Sequence, residues 1–217
     1  MKKSLASLLA SQKANLKIRT TFMGCQRLIR VHLWLISLIL CELCASVAER
    51  LPNFFIGINE LKSILKDKTS VFSVSPQGIS KVCFFKDHFY KLVPTEGYPT
   101  IEINGIRMHQ TKNMTPDQDT KLKIELLHIF KNATILDICT GPGYTAIEAY
   151  KKGAEVTTIE KDICVLEIDK INPYSKELFE GGIKIIIADA FNEVKRFSVS
   201  YFDFIVHDPP RFALSPG

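Results

Sequence analysis

From Thr134 the chain alternates short apolar runs with stretches of helical periodicity, and this alternation restricts the possible folds more than anything else in the sequence. TILDI, EVTTIE, KIIIAD and FDFIVHD read as strands. Between them lie TAIEAYKK, ended by Gly153, and a helical stretch to about Lys170 that is interrupted at Pro173 and resumes to Phe179. Continuous apolar strands joined by helices predict a parallel sheet covered on both faces. Right-handed crossovers then bring every strand's C-terminal end to one rim, where such sheets bind ligands.

All four strand ends carry polar or flexible residues. The first runs into Asp137-Ile138-Cys139-Thr140-Gly141-Pro142-Gly143-Tyr144. Gly141 and Gly143 allow a sharp turn and close backbone approach, and their amides, with the helix behind them, offer donors to an anionic group. Glu160 ends the second strand, where a carboxylate can accept both hydroxyls of a ribose. Asp189 ends the third and can bond an exocyclic amino group. The fourth ends in Asp208-Pro209-Pro210-Arg211-Phe212. Together these predict a nucleoside-containing cofactor bound across the sheet.

Two cofactors compete. Gly141 to Ala146 satisfies the loose G-x-G-x-x-A dinucleotide pattern, with Glu160 at the ribose position. However, Asp137 would set a negative charge against a pyrophosphate, whereas it suits a cofactor with a cationic amino-acid end. The Asp-Pro-Pro turn also has no part in a nicotinamide site.

LDICTGPGYTAIEA, TTIEKD, IIIADAF and FDFIVHDPPRF resemble successive motifs of class I S-adenosylmethionine-dependent methyltransferases. In particular they resemble an uncharacterised, largely archaeal group with a D-x-C-T-G-x-G-Y-T-A loop and an H-D-P-P-R-F turn. The resemblance runs from about Val71 to Gly217. It implies a Rossmann-like, doubly wound, mainly parallel sheet and S-adenosylmethionine as cofactor. Asp137, Cys139, Thr140, Gly141, Gly143 and Tyr144 would hold the methionine end, Glu160 and Lys161 the ribose, and Asp189 and Ala190 the adenine. Asp208 would be catalytic, with Pro209, Pro210, Arg211 and Phe212 lining the acceptor site. Cys139 replaces the usual first loop glycine and narrows the cofactor's approach. Arg211 stands where nitrogen methylases carry the aromatic that stacks on a flipped base, so Phe212 would stack one position later or Arg211 would meet a phosphate or carboxylate.

The acceptor is not legible; RNA is favoured by analogy with fold relatives and not by charge. An aminopropyltransferase on the same fold and a non-catalytic binding remnant are the alternatives. The resembling fold continues through about three further strands, so the sheet is expected to be incomplete, with about four core strands. Its exposed edge would then invite association.

Upstream, VFSVS, ISKVCFF, HFYKLV and TIEINGIRM predict a small antiparallel subdomain over residues 56–113, with Asn104-Gly105 as a hairpin turn. It is too small to hold a core alone and should lean on the C-terminal α/β region. Thr115-Pro116-Asp117-Gln118 reads as a helix start leading into a helix to about Phe130 that buries Leu122, Ile124, Leu126, Leu127 and Ile129. His109, just before it, reads as a surface or hydrogen-bonded histidine. The methyltransferase-like core is expected over 114–217.

Residues 1–55 differ in character. Seven bases and no acid precede Cys41; since the whole chain carries +5, the remainder carries −2. Net charge therefore gives no argument for a nucleic-acid partner. The apolar run at 33–48 suits a targeting or anchor segment that could contact a membrane, or a helical extension of little order. Cys41 and Cys44 form a C-x-x-C inside that run, where buried small side chains are the expected reading. No Cys/His set has zinc-ligand spacing, so no metal is expected. A reducing, cytoplasmic setting is the default.

Overall fold

A computed structural model of the chain describes residues 27–29, 58–75 and 77–209. The expectations for the apolar run at 33–48, the Cys41/Cys44 pair, and Pro210, Arg211 and Phe212 lie outside these residues. Among the described residues, no helix is long and apolar enough to cross a membrane.

The chain divides into two compact units. The described part of the first comprises 58–68, 74–75 and 77–79. It holds helix α1 (Ile58–Lys66), with Glu60 in its first turn and Lys66 in its last, each suited to the helix dipole. The other unit takes 27–29, 69–73 and 80–209 and contains both sheets that matter here. Three short strands precede these sheets: β1 (Arg27–Ile29), β2 (Phe72–Ser75) and β3 (Gly78–Lys81).

The antiparallel sheet has the order β4-β5-β6-β7, formed by β4 (Cys83–Phe85), β5 (Phe89–Val93), β6 (Thr100–Ile103) and β7 (Ile106–Arg107). The run ISKVCFF makes two strands, not one, because Val82 changes partners. Its N–H donates to Val71 O at 2.9 Å and its carbonyl accepts Leu92 N–H at 2.9 Å. Asn104 and Gly105 both adopt positive φ (49° and 84°), as the hairpin requires.

The parallel sheet is formed by β8 (Thr134–Ile138), β9 (Glu155–Glu160), β10 (Lys184–Ile187) and β11 (Phe204–His207), in the order β10-β9-β8-β11. The chain moves outward from β8 through β9 to β10, then returns across β8 to lay β11 on its other side. The direction of winding thus reverses between β8 and β11, and such a switch point is where open α/β sheets bind ligands. The connecting helices are α2 (Pro116–Glu125) before the sheet, then α3 (Tyr144–Lys151), α4 (Ile163–Asp169), α5 (Lys176–Glu180) and the single turn α6 (Ala190–Glu193). This is the expected Rossmann-like α/β architecture.

Two apolar clusters hold the second unit together. Ile124, Ile135, Ala146, Ile147, Val156, Leu166 and Leu178 join α2 to α5 with one face of the parallel sheet. Tyr90, Leu92, Ile101 and Ile103 of the antiparallel sheet pack with Cys164, Val165 and Ile168 of α4, so the small sheet does lean on the C-terminal α/β region.

The edge at β11 is open, as an incomplete sheet implies, with Ile205 59% exposed; the opposite edge, expected to be covered, is open too, with Ile187 on β10 55% exposed. No described segment shields either side chain. Helix α2 also stops at Glu125, short of Phe130. His128 (φ 48°) and Asn132 (φ 64°) turn the chain into β8 instead. Of the five side chains expected to be buried there, Ile124 is buried, Leu127 and Ile129 are partly so, and Leu122 and Leu126 are exposed.

Candidate active site at the sheet switch point

Strand register brings the expected residues to one rim. Ile138 at the end of β8 pairs with Ile159 of β9 and His207 of β11, and Glu160 pairs with Ile187 of β10. Asp208 therefore emerges beside the loop after β8, and Asp189 emerges beyond β10.

The loop is built from left-handed backbone. Cys139, Gly141 and Gly143 have φ of 68°, 50° and 72°. For Cys139 this conformation is strained by about 1–2 kcal/mol relative to glycine, the residue more usual there. At Gly143 a side chain is excluded twice over, since a Cβ would lie 2.7 Å from Leu178 Cδ2. A Cβ at Gly141 would make only ordinary contact, 3.7 Å from Met108 Sδ. The segment after β7 thus runs along the loop.

The glycine amides are not presented to a ligand as expected. Gly141 N–H donates to Glu160 Oε2 at 3.0 Å, and Gly143 N–H to Thr140 O at 2.8 Å. Gly143 thus closes a turn within the loop, whereas Gly141 is held by Glu160, whose other oxygen accepts Asp162 N–H at 2.9 Å, so this carboxylate braces the loop. Burial raises the Glu160 pKa, against the lowering effect of these amides.

Asp137 lies beneath the loop, 1% exposed, accepting hydrogen bonds from Thr145 and Thr158 hydroxyls, each at 2.7 Å. Burial pushes its pKa up to about 7; the two hydroxyls oppose this, while the charges of Asp208 and Glu160 add to it. Thr140 joins the same network through Thr158 Oγ1 at 2.6 Å. Asp137 therefore feels two of the other three rim acids around a single loop. Cys139 senses the same three, its thiol pushed up to about 11 by burial first and then by Glu160, Asp137 and Asp208.

Tyr144 is occupied structurally. Its hydroxyl donates to Pro99 O and accepts from Asn172 Nδ2, both at 2.8 Å. The fourth acid stands apart from the loop. Asp189 caps α6 by accepting Phe191 N–H at 2.9 Å and pairs with Lys161 at 3.0 Å, which lowers its pKa. Ala190 opens that helical turn.

Asp208 and Pro209 are exposed. Lys123 of α2 reaches Asp208 Oδ2 at 2.7 Å and Asp119 Oδ2 at 2.6 Å. These carboxylates raise the Lys123 pKa despite its burial. Neither Lys123 nor Asp119 was among the expected site residues, because helix periodicity gives no reason to single them out. His109 was set aside as a surface or hydrogen-bonded group and is indeed hydrogen-bonded, its Nδ1 lying 3.0 Å from Thr100 Oγ1. Yet its ring also lies tilted against Tyr144, with ring centroids 5.6 Å apart, and senses Asp208, Lys123 and Asp119. Its neighbour Met108 already lies along the loop. The sequence signal available was its position at the end of a hairpin directly preceding a capped helix.

Residues 113–214 match a family described as conserved hypothetical protein 95. An uncharacterized protein of Methanocaldococcus jannaschii, MJ1233, is 51% identical over 166 residues, covering 76% of this chain and 57% of its own length. The chain thus spans little more than half of that curated relative. A spermidine synthase in complex with the transition-state analogue AdoDATO aligns with a TM-score of 0.50 at 20% identity, over 59% of this chain and 46% of that one. The spermidine synthase of Thermotoga maritima aligns at 0.48, also 20% identical, over 60% and 50%. The first of these likenesses shows the Rossmann-like α/β fold.

Proposed function

We propose that this chain carries the cofactor-binding part of an S-adenosylmethionine-dependent methyltransferase. The supporting observation is the gathering of Asp137, Glu160 and Asp208 around one left-handed glycine loop at the switch point. A pyrophosphate would meet three carboxylates there, whereas a ligand bearing an ammonium and a sulfonium would be attracted. That separates this reading from a dinucleotide site.

In this reading Asp137 favours the cationic amino end from beneath the loop. Glu160 keeps free lone pairs for ribose hydroxyls while bracing Gly141, and Asp189 with Ala190 meets the adenine edge. When bound, the cofactor supplies an electrophilic methyl carbon whose departing thioether is neutral and needs no acid. The chain has then to align an acceptor and keep water away. Asp208 suits the alignment. Lys123 steadies one of its oxygens at 2.7 Å, leaving the other to accept an N–H from an amine and orient its lone pair. Pro209, Pro210, Arg211 and Phe212 would line the acceptor's position, with RNA as the favoured acceptor class.

Aminopropyl transfer is the second reading, because the chain shares its fold with a spermidine synthase. A polyamine would need an acidic pocket. Asp119 and Asp208 are both paired with Lys123, which argues against one.

The test is incubation with methyl-labelled S-adenosylmethionine and separated RNA, protein and small-molecule fractions. We expect label in one fraction with the native chain and none with Asp208→Ala, while calorimetry gives both the same cofactor affinity. Cofactor binding without transfer to any fraction would reduce the chain to a binding module. Preference for the decarboxylated cofactor would favour aminopropyl transfer.

A further inference from the structure

An open cleft of about 490 Å³ lies beside β7, lined by Arg107, His109, Gln110, Thr111 and Lys112 with the backbone of Gly105. Among the described residues, no carboxylate lines it. Arg107 is fixed rather than free to wander. Its Nη1 donates to Thr111 Oγ1 at 3.0 Å, and Nε lies 3.5 Å from Glu102 Oε2 on the adjacent strand. The guanidinium plane is thus set while part of its donor fork stays unclaimed by these two partners, and Lys112 adds a second cation. Two cations with a hydroxyl beside them match the several oxygens of a phosphate better than the two of a carboxylate.

His109 joins this cleft to the site described above. Thr100 holds its Nδ1 and Tyr144 backs its ring, and the ring also feels Asp208 and Lys123. Burial holds its pKa down at about 4, so it is neutral at physiological pH and does not add a repulsive charge near Lys123. A molecule lying in the cleft and passing His109 would reach toward Asp208.

We propose that this cleft binds a phosphate group of the methyl acceptor, with Arg107 and Lys112 taking the phosphate and His109 lying on the path to Asp208. The assignment rests on the preceding reading in taking the ligand as the methyl acceptor and Asp208 as the transfer position, whereas phosphate binding in the cleft does not depend on it. A phosphate ester could belong to a mononucleotide-sized acceptor or to a polynucleotide backbone.

The experiment is amide NMR of the full ¹⁵N-labelled chain titrated separately with inorganic phosphate, AMP and a single-stranded RNA decamer. The double variant Arg107→Ala/Lys112→Ala is titrated alongside. Shifts centred on residues 105–112 are expected with AMP or the decamer, weakened at least about tenfold in the double variant, as loss of charge-assisted hydrogen bonds implies. Tighter binding of the decamer than of AMP identifies a polynucleotide source, and equal binding a mononucleotide-sized one. Binding of phosphate alone with no gain from either ester overturns the proposal. So do shifts confined to other residues, or shifts that the double variant leaves unchanged. S-adenosylmethionine affinity is measured on the same samples. If it is absent from the native chain while the cleft shifts persist, the methyltransferase reading fails and the phosphate site stands. If it is retained while the cleft shifts are absent, the cleft alone fails.

Discussion

The inner and outer strands of the parallel sheet use their terminal acids in opposite ways. On β8 and β9, Asp137 and Glu160 are buried, Asp137 accepting the hydroxyls of Thr145 and Thr158 and Glu160 the amides of Gly141 and Asp162. Beyond β10 and β11, the terminal acids reach further into solvent and pair with lysines, Asp189 with Lys161 and Asp208 with Lys123. The burial of the strands themselves shows the same division, dense in β8 and β9 and open in β10 and β11. The inner pair therefore shapes the loop. The outer pair is held less firmly, because solvent and salt screen exposed ion pairs, and each carboxylate keeps an oxygen that its lysine does not take.

The largest effect should come from the inner side. Gly143→Ala would force an L-residue to hold φ 72° and drive its Cβ toward Leu178. Left-handed strain and overpacking together cost roughly 2–5 kcal/mol, a large share of a domain's stability. The thermal midpoint and cofactor affinity should fall together. An unchanged midpoint would mean that the loop yields easily, and the contrast between rigid inner and adaptable outer strands would be lost.

Asp137→Ala should come next, weakening S-adenosylmethionine binding while leaving a folded chain. Its pH dependence is more diagnostic. Burial raises the Asp137 pKa to about 7, so it changes charge around neutrality, and a cationic ligand prefers the ionised form. Affinity should therefore rise as pH increases through about 7, until the ligand's own amino group begins to lose its proton near ~8. Asp137→Asn should abolish the rise. The same raised pKa carries the opposite sign for stability: the folded state holds a proton that the unfolded state releases, so stability should decline as pH rises from about 4 to about 7. Calorimetric titrations and thermal melts across this range test both signs.

How far the sequence revealed this arrangement depended on whether a contact was local. The four strands were legible because apolar runs such as TILDI and KIIIAD leave few alternatives. The hairpin turn and helix start were legible because Asn104-Gly105 and Thr115-Pro116 act within a few residues; Gln118 Oε1 does accept Thr115 N–H, at 3.1 Å. The rim acids were legible as strand ends, since parallel register fixes where they emerge. Their partners were not. Glu160 bonding Gly141 spans nineteen residues and Lys123 reaching Asp208 spans 85. No periodicity records such pairings. The end of α2 was not legible for a related reason: apolar residues continue past Glu125, but Leu126 lies one turn after Leu122 on the same exposed face, and left-handed His128 then turns the chain toward β8.

The smallest effect tests the outer side directly. Lys161→Ala removes the partner of Asp189 but not its anchor, since Phe191 N–H still holds the carboxylate at the start of α6. The Asp189 pKa should move back toward the ordinary carboxylate range, and the thermal midpoint should not change measurably. S-adenosylmethionine affinity should stay within about twofold, because Lys161 is turned to Asp189 and not to the ribose position the resemblance implies for it, and the pair lost is solvent-exposed. A tenfold loss would instead mean that Lys161 itself touches the ligand. The outer acids would then be part of a preformed site, as constrained as the inner ones.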